Sequence, residues 1–522
     1  MRRRSNRSVL AAALVCLGML ASGCTTVVQG SGRPAAAAES APDATAGPPA
    51  PPVDDISWAD CTDNVTQAVG GQLERPLTFE CGTTLVPKDY DAPTEGDYEL
   101  FVLRAVSAEQ IDRIGSLLVN PGGPGGSGVE TAIGLALSLP SEILARFDIV
   151  GFDPRGVGLS SPVECISAAF KDEINAAEPT PRSPEEIDEA LDLSEEIGDG
   201  CEDLYGDELG NFNTIYTARD MDRLREALDD EQLTYLGYSY GTTLGSTYAE
   251  LFPDRVRALV LDGAVDPSKD DLEGSEGQAA GFEQAFDAFA ADCVAQGAAC
   301  PAGPDPRGLV YQLLDSAEGA PIPSSGPSGR RATDGNIFVG VLGALYSADA
   351  WPALARALAD AVAGDSLPIL ELGDGYSQRR EDGSYSNLID ANIAINCADS
   401  DQTFEASQVR GYVEEWDTKY PLFGAALASG LMTCTLWEAT RHPLPDRDAA
   451  GSPPILVIGT LGDPATPYEG AVTMAEQLDA GVLLSWEGEG HTAFPKTDCI
   501  TAAVVSYLVD LVSPAEGTTC PA

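Results

Sequence analysis

From Leu85 onward, short apolar runs alternate with stretches of helical spacing. Tyr98–Val106 (YELFVLRAV) alternates polar and apolar residues and predicts a strand. Ser116–Asn120 (SLLVN) and Phe147–Phe152 (FDIVGF) are short apolar runs that suit buried strands. Residues 219–229 place Met221, Leu224 and Leu228 on one helical face. Leu233–Leu236 predicts a strand, Thr242–Leu251 a helix and Val256–Leu261 another strand. Near the end, Ile455–Ile458 and Val482–Trp486 predict strands and Ala502–Leu511 a closing helix. Strands separated by helices imply a mainly parallel sheet covered on both faces.

Residues 268–450 break that rhythm. They show helical spacing at 279–293 and 351–363 and are loop-rich elsewhere; 320–335 (APIPSSGPSGRRATDG) predicts an exposed loop. The stretch lies between two sheet strands, so it is expected to be a large, mostly helical cap inserted into an α/β core. The core would then comprise residues 55–267 and 451–522. With 522 residues the chain is long enough for such an insertion.

The N-terminus departs from globular patterning. Arg2, Arg3, Arg4 and Arg7 precede an apolar run from Val9 to Leu20, too short to span a bilayer comfortably. Leu20-Ala21-Ser22-Gly23-Cys24 follows and resembles a lipobox, with Ala21 where Leu is commoner. The expectation is an export signal over 1–23, a lipidated Cys24 and a flexible Ala/Pro/Gly-rich tether over 24–54. That places the protein outside the cell, on the outer face of the membrane or secreted, with membrane contact through the anchor only. A plain secretory signal with an accidental Cys is the alternative.

Charge and cysteines fit an exported protein. The chain has 82 Asp and Glu against 30 Lys and Arg, a net charge of −52, which repels nucleic acid and anionic lipid heads. Beyond Cys24 stand Cys61, Cys81, Cys165, Cys201, Cys293, Cys300, Cys397, Cys434, Cys499 and Cys520. An even set in an exported chain implies five disulfides, with neighbours in sequence the expected partners. A zinc site is disfavoured, because there is no C-x-x-C pair and only two His.

Against this frame, Gly237-Tyr238-Ser239-Tyr240-Gly241 has the G-x-S-x-G form. Small residues let a sharp turn lift a Ser hydroxyl above the end of a strand, and here a strand precedes the turn and a helix follows. A Ser hydroxyl needs a base. His491 follows the last apolar strand, where open α/β sheets build sites, whereas His442 lies in a Pro-rich loop and suits a packing role. Asp463 follows the Ile455–Ile458 strand and can orient the imidazole. The chain order Ser239, Asp463, His491 is that of α/β hydrolases. Asn120-Pro121-Gly122-Gly123-Pro124-Gly125-Gly126-Ser127-Gly128 lets backbone approach a substrate carbonyl, giving the N–H groups of Gly123 and Tyr240 as oxyanion donors. A phosphate-cradling loop is disfavoured, because no Lys-Ser/Thr follows the glycines. In Asp153-Pro154-Arg155-Gly156-Val157-Gly158-Leu159-Ser160, an Asp153–Arg155 ion pair is expected to brace that loop.

Taken together, NPGGPGGSG at 120–128, DPRGVGLS at 153–160, GYSYG at 237–241, GDPATP at 462–467 and GEGH at 488–491 resemble the proline-iminopeptidase and tripeptidyl-aminopeptidase group of α/β-hydrolase serine peptidases. The resemblance is closest to secreted or lipid-anchored actinobacterial members and spans about 55–520, with 453–520 similar to the family's TAP-like region. Proline iminopeptidases usually carry His before the oxyanion glycines; Asn120-Pro121 stands there instead and points toward the tripeptidyl branch. The resemblance implies release of short N-terminal fragments, tripeptides foremost, from peptides with a free N-terminus, without metal or organic cofactor. It also implies acids in the cap that hold the free amine, for which Asp399 and Glu283 are candidates. An esterase, lipase or thioesterase using the same triad is the main rival, since function lives in the pocket. A non-catalytic binding protein of this fold is disfavoured by the complete triad, and an Asp-nucleophile enzyme by the Ser at the turn.

Overall fold

The order of strands along the chain explains the sheet. The computed structural model describes residues 55–435 and 437–522. The strands are β1 (Ala59–Asp60), β2 (Leu77–Pro87), β3 (Asp97–Ser107), β4 (Gly115–Asn120), β5 (Phe147–Phe152), β6 (Leu233–Tyr238), β7 (Val256–Asp262), β8 (Ile322–Pro323), β9 (Arg331–Ala332), β10 (Ile455–Gly462), β11 (Gly481–Glu489) and β12 (Thr518–Cys520). Ten of them form one sheet in the order β1-β2-β3-β5-β4-β6-β7-β10-β11-β12. β1, β2 and β3 pair antiparallel, β3 pairs antiparallel with β5, and the rest is parallel. Central strands β4 and β5 are buried along their whole length, which is why they show apolar runs and no alternation. β3 has a more exposed start and alternates in part.

Two apolar layers lie on the faces of the sheet. One contains Leu118, Val150, Tyr235, Leu259 and Val457, packed with Met221, Leu224 and Leu244 from the helices Thr214–Ala227 and Tyr240–Leu251. The other contains Val119, Ile149, Leu236, Val260 and Ile458, packed with Ala132, Ala136, Val504 and Leu508. The closing helix begins earlier than its apolar pattern suggests, at Asp498, because Thr497 caps it by accepting from the Ile500 N–H. Leu77–Pro87 carries the strand that the alternation from Leu85 catches only at its end.

Between β7 and β10 the chain is mostly helical, with helices from Asp271 to Met432. The core of this layer is aromatic: Phe282, Phe286, Phe289, Phe338, Trp351 and Phe423 pack together. Within 320–335 the expected exposed loop joins two two-residue strands, β8 and β9, that pair antiparallel, and Asp334 opens the next helix. The layer also recruits an earlier excursion. Ile187, on the helix Pro184–Tyr205, packs with Val409, Val413 and Trp416, and Lys171 pairs with Asp390. Core and cap thus interleave, and the described residues form one compact unit.

Among the described residues five disulfides join Cys61–Cys81, Cys165–Cys201, Cys293–Cys300, Cys397–Cys434 and Cys499–Cys520, each between sequence neighbours. Loops of this size stabilise a domain by roughly 2–4 kcal/mol each in the chain-entropy picture. Among the described residues no helix is long and apolar enough to cross a membrane, and no group of three or more His, Cys, Asp or Glu could hold a metal ion. The export signal, Cys24 and the tether lie outside the described residues.

The expected Asp153–Arg155 pair does not form. Arg155 is fully buried and bonds both oxygens of Asp220, at 2.7 Å each, together with the carbonyls of Pro87, Lys88 and Asn211. Tyr90 donates to the same Asp220 at 2.8 Å. A guanidinium buried this deeply needs a bidentate carboxylate, and Asp220 on the Thr214–Ala227 helix supplies it. Removing one partner strands the other charge. Arg155→Ala is therefore expected to cost about 3–5 kcal/mol in urea unfolding, and the apolar double replacement Arg155→Met with Asp220→Leu clearly less. An equal loss for both variants would contradict the account.

Candidate active site

The turn between β6 and the helix Tyr240–Leu251 is strained. Ser239 has φ 55° and ψ −126°, a conformation that L residues rarely adopt, and it is the N-cap of the helix without a side-chain cap bond. Glycines make the turn possible. A Cβ at Gly237 would stand 2.4 Å from the Gly241 carbonyl oxygen, and one at Gly241 would stand 3.0 Å from the Asn120 carbonyl. The Ser239 N–H donates to the Asp262 carbonyl at 2.9 Å, fixing the turn to the end of β7.

Asp463 lies just past β10. Its Oδ1 accepts the N–H groups of Ala465 and Thr466 at 3.0 and 2.9 Å, and its Oδ2 that of Thr492 at 3.1 Å. Both oxygens stand within 3.0 Å of His491 Nδ1. Burial pushes the Asp463 carboxyl up, but the His491 charge and these hydrogen bonds outweigh it, and its pKa falls below the ordinary carboxylate range. Asp463 is thus held ionised against Nδ1. Among the described residues, the far nitrogen of the ring, Nε2, is buried and has no hydrogen-bond partner, Ser239 included. In resting hydrolases this contact often closes only around substrate. Gly263, next after β7, lies against the ring: a Cβ there would meet His491 Cε1 at 3.1 Å.

The glycine loop after β4 packs on the Ser239 turn. Asn120 Oδ1 accepts the Gly122 N–H at 2.9 Å. A Cβ on Gly122 would lie 2.8 Å from Ser239 Cβ and 2.9 Å from the Tyr240 N, so only glycine fits, and φ is +90°. Gly123 follows with φ +112°. Tyr240 opens its helix, so its N–H lacks an intrahelical acceptor. The loop is braced by Asp153, which accepts Ser127 Oγ at 2.6 Å and the Val129 and Leu159 N–H groups. Asp153 therefore serves the bracing role without Arg155.

Three further residues have no role assigned from the sequence, although Thr466 stands inside the GDPATP motif. Thr466 Oγ1 stands 3.3 Å from His491 Nδ1. Asp262, buried at the end of β7, accepts the Ala493 and Phe494 N–H groups and holds the loop behind His491. Burial pushes its pKa up to about 6 despite those bonds. Its only sequence signal was an acid ending the apolar run VRALVLD. Tyr346 is the third; its carbonyl accepts the His491 N–H at 2.8 Å.

Of the cap acids, Asp399 reaches the site region. It accepts the Thr214 N–H and Oγ1, and that hydroxyl also hydrogen-bonds the Tyr240 hydroxyl. Burial is the largest influence on Asp399 and raises its pKa to about 7, against the Thr214 hydrogen bonds and the charge of Arg447. Glu283 does not share this setting. Its Oε1 takes Arg307 and its Oε2 the Leu422 N–H, so its charge is already paired with a cation inside the cap, whereas Asp399 has no ion pair among the described residues. His442 packs against Tyr216, ring centroids 5.2 Å apart, and burial lowers its pKa.

Residues 115–316 match the α/β hydrolase fold family, and residues 420–520 match the TAP-like proteins. Serine protease Hip1 of Mycobacterium tuberculosis is 38% identical over 98% of this chain and 96% of its own. Carboxylesterase B of the same organism is 37% identical over 98% of each chain. Tripeptidyl aminopeptidase of Streptomyces coelicolor is 30% identical over 89% of this chain and 86% of its own. The fold and these matches define a serine hydrolase of the α/β-hydrolase class. The chain belongs to the actinobacterial α/β-hydrolase family with a TAP-like C-terminal region, to which these three relatives belong.

Two tests follow from the geometry. Gly122→Ala forces a methyl against Ser239 and the Tyr240 N–H, so kcat is expected to fall by about two orders of magnitude or more, the scale of losing an oxyanion donor. Unchanged turnover would remove the loop from the site. Asp262 and Asp399 have folded pKa values above the ordinary carboxylate range, so protonation favours the folded state. Stability is expected to rise as pH falls from 8 toward 5, and the rise should be smaller in Asp399→Asn. Thermal unfolding across that range checks it; a profile in which both proteins lose stability toward pH 5 would contradict the sign.

Proposed function

We propose that the protein is a serine exopeptidase that releases short N-terminal fragments, tripeptides foremost, from peptides. In this reading Ser239 Oγ attacks the scissile carbonyl while His491 Nε2 takes its proton. Asp463 keeps the imidazole in the tautomer that exposes Nε2 and stabilises the imidazolium. The N–H groups of Gly123 and Tyr240 hold the developing oxyanion. His491 then protonates the leaving amine, and water cleaves the acyl-enzyme by the same route. No metal or organic cofactor takes part.

The observation that carries the reading is the pairing of a strained, glycine-packed Ser239 with an ionised Asp463 against His491 Nδ1, leaving Nε2 without a partner among the described residues. The relatives named serine protease and tripeptidyl aminopeptidase support a peptide substrate. Asp399 is the proposed acceptor of the substrate's free amine: a buried carboxylate with raised pKa gains its full charge when an ammonium arrives beside it. Cys24 is proposed as a lipid anchor that keeps the exported enzyme at the membrane. The relative named carboxylesterase B favours a second reading, an esterase with the same triad.

A substrate panel separates the readings. Aminoacyl, dipeptidyl and tripeptidyl amides, with free and blocked N-termini, are compared with short- and long-chain acyl esters. Free-amine peptidyl amides should be cut and blocked ones spared, with Ser239→Ala slower by about 10⁴-fold or more. Asp399→Asn should raise KM for free-amine substrates alone. Turnover of esters only would replace the exopeptidase with the esterase.

A further inference from the structure

In acyl transfer the leaving group departs toward the base that protonates it. A side chain that flanks the His491 ring is therefore placed near the leaving group, while the acyl part faces the oxyanion donors. The cap supplies that flank. Tyr346 and Ser347 run beside the loop that carries His491: the Tyr346 carbonyl accepts the His491 N–H, and Ser347 forms a β-bridge with Gly490. Gly490 has φ +97°, and a Cβ there would stand 2.9 Å from the Tyr346 carbonyl oxygen, so glycine is what permits this contact.

Side chains continue what the backbone begins. The Tyr346 ring meets the His491 ring edge to face, centroids 5.5 Å apart at 85°. Phe282 supports Tyr346 from within the cap at 5.5 Å, and Tyr376 lies 5.5 Å away on another side. Tyr376, at the end of the helix Leu367–Ser377, is 43% exposed and is the ring of this row most open to solvent. It comes so near because the helix Asp334–Leu345 offers glycines where the two helices meet. A Cβ on Gly340 would lie 2.5 Å from the Ile369 carbonyl, and one on Gly343 would lie 2.8 Å from Tyr376 Cβ.

We propose that Tyr346 and Tyr376 form the wall against which the leaving group packs, so that the enzyme favours scissile bonds whose leaving group carries a planar or bulky apolar moiety. The proposal rests on Ser239 and His491 as nucleophile and base, and not on the substrate being a peptide. Tyr346 is tied to the His491 loop and acts partly by positioning it; Tyr376 touches neither His491 nor Ser239 in any hydrogen bond and is the selective element of the wall.

The test uses substrate pairs that share one acyl part and differ only in the leaving group: a peptidyl arylamide against the same peptidyl glycinamide, and an aryl ester against the methyl ester of one acid. The readout is the ratio of kcat/KM within each pair, divided by the same ratio for the unaltered enzyme. Tyr376→Ala should lower the aryl preference by about three- to tenfold, the scale of one aromatic contact. Tyr376→Phe should keep it, and Tyr376→Leu, which preserves apolar bulk without a ring, should lower it partway. Fluorophosphonate labelling of each variant confirms an intact Ser239. An unchanged ratio in correctly labelled Tyr376→Ala and Tyr376→Leu overturns the proposal. If both amides are inert and the esters are cut, the peptidase reading fails while the ester pair still decides the wall.

Discussion

Everything at the site depends on one constraint, the close approach of three backbone segments around Ser239. The turn at φ 55° persists only because Gly237 and Gly241 have no Cβ, and because Gly122 lets the loop after β4 lie against Ser239 and Tyr240. Strain of this kind costs on the order of 1–3 kcal/mol per residue and survives only where its surroundings over-determine it. Here those surroundings are the parallel pairing of β4 and β6, the Ser239 N–H to Asp262 bond and the Tyr235 hydroxyl on the Gly241 carbonyl. The strain exposes the hydroxyl, and the fully buried central strands hold it.

A second layer of constraint fixes the base. Asp463 and Asp262, at the ends of β10 and β7, take backbone N–H groups of the Thr492–Phe494 segment from two sides. Asp463 is ionised and orients the ring, whereas Asp262 titrates much higher because it is buried without a cationic partner in contact. The cap closes the arrangement through Tyr346 and Ser347. The His491 loop thus answers to the core and the cap together.

The sheet strands, the Ser239 turn, the Asp463–His491 contact and the disulfide pairing were legible because each leaves a local mark: an apolar run, a glycine pattern, a strand end or an even cysteine set. What escaped is what depends on long-range packing. Arg155 chooses Asp220 over Asp153 because the helix Thr214–Ala227, 65 residues further along the chain, brings a bidentate carboxylate to a fully buried guanidinium. Glu283 looked available until Arg307 and Leu422 closed on it. Tyr346 and Asp262 carry no motif; their places follow from the docking of the cap and from the end of β7. The hairpin within 320–335 and the contribution of residues 184–205 to the cap were hidden for the same reason.

The central claim is that Ser239 forms the covalent acyl intermediate. Trapping it is the most direct measurement: the enzyme is mixed with a tripeptidyl substrate bearing a good leaving group, quenched in acid within the steady state, digested and examined by mass spectrometry. The account predicts the tripeptidyl mass on the peptide that contains Ser239, and no such adduct when His491 is replaced by Ala. An adduct on another residue, or rapid turnover with Ser239 replaced by Ala, would contradict it.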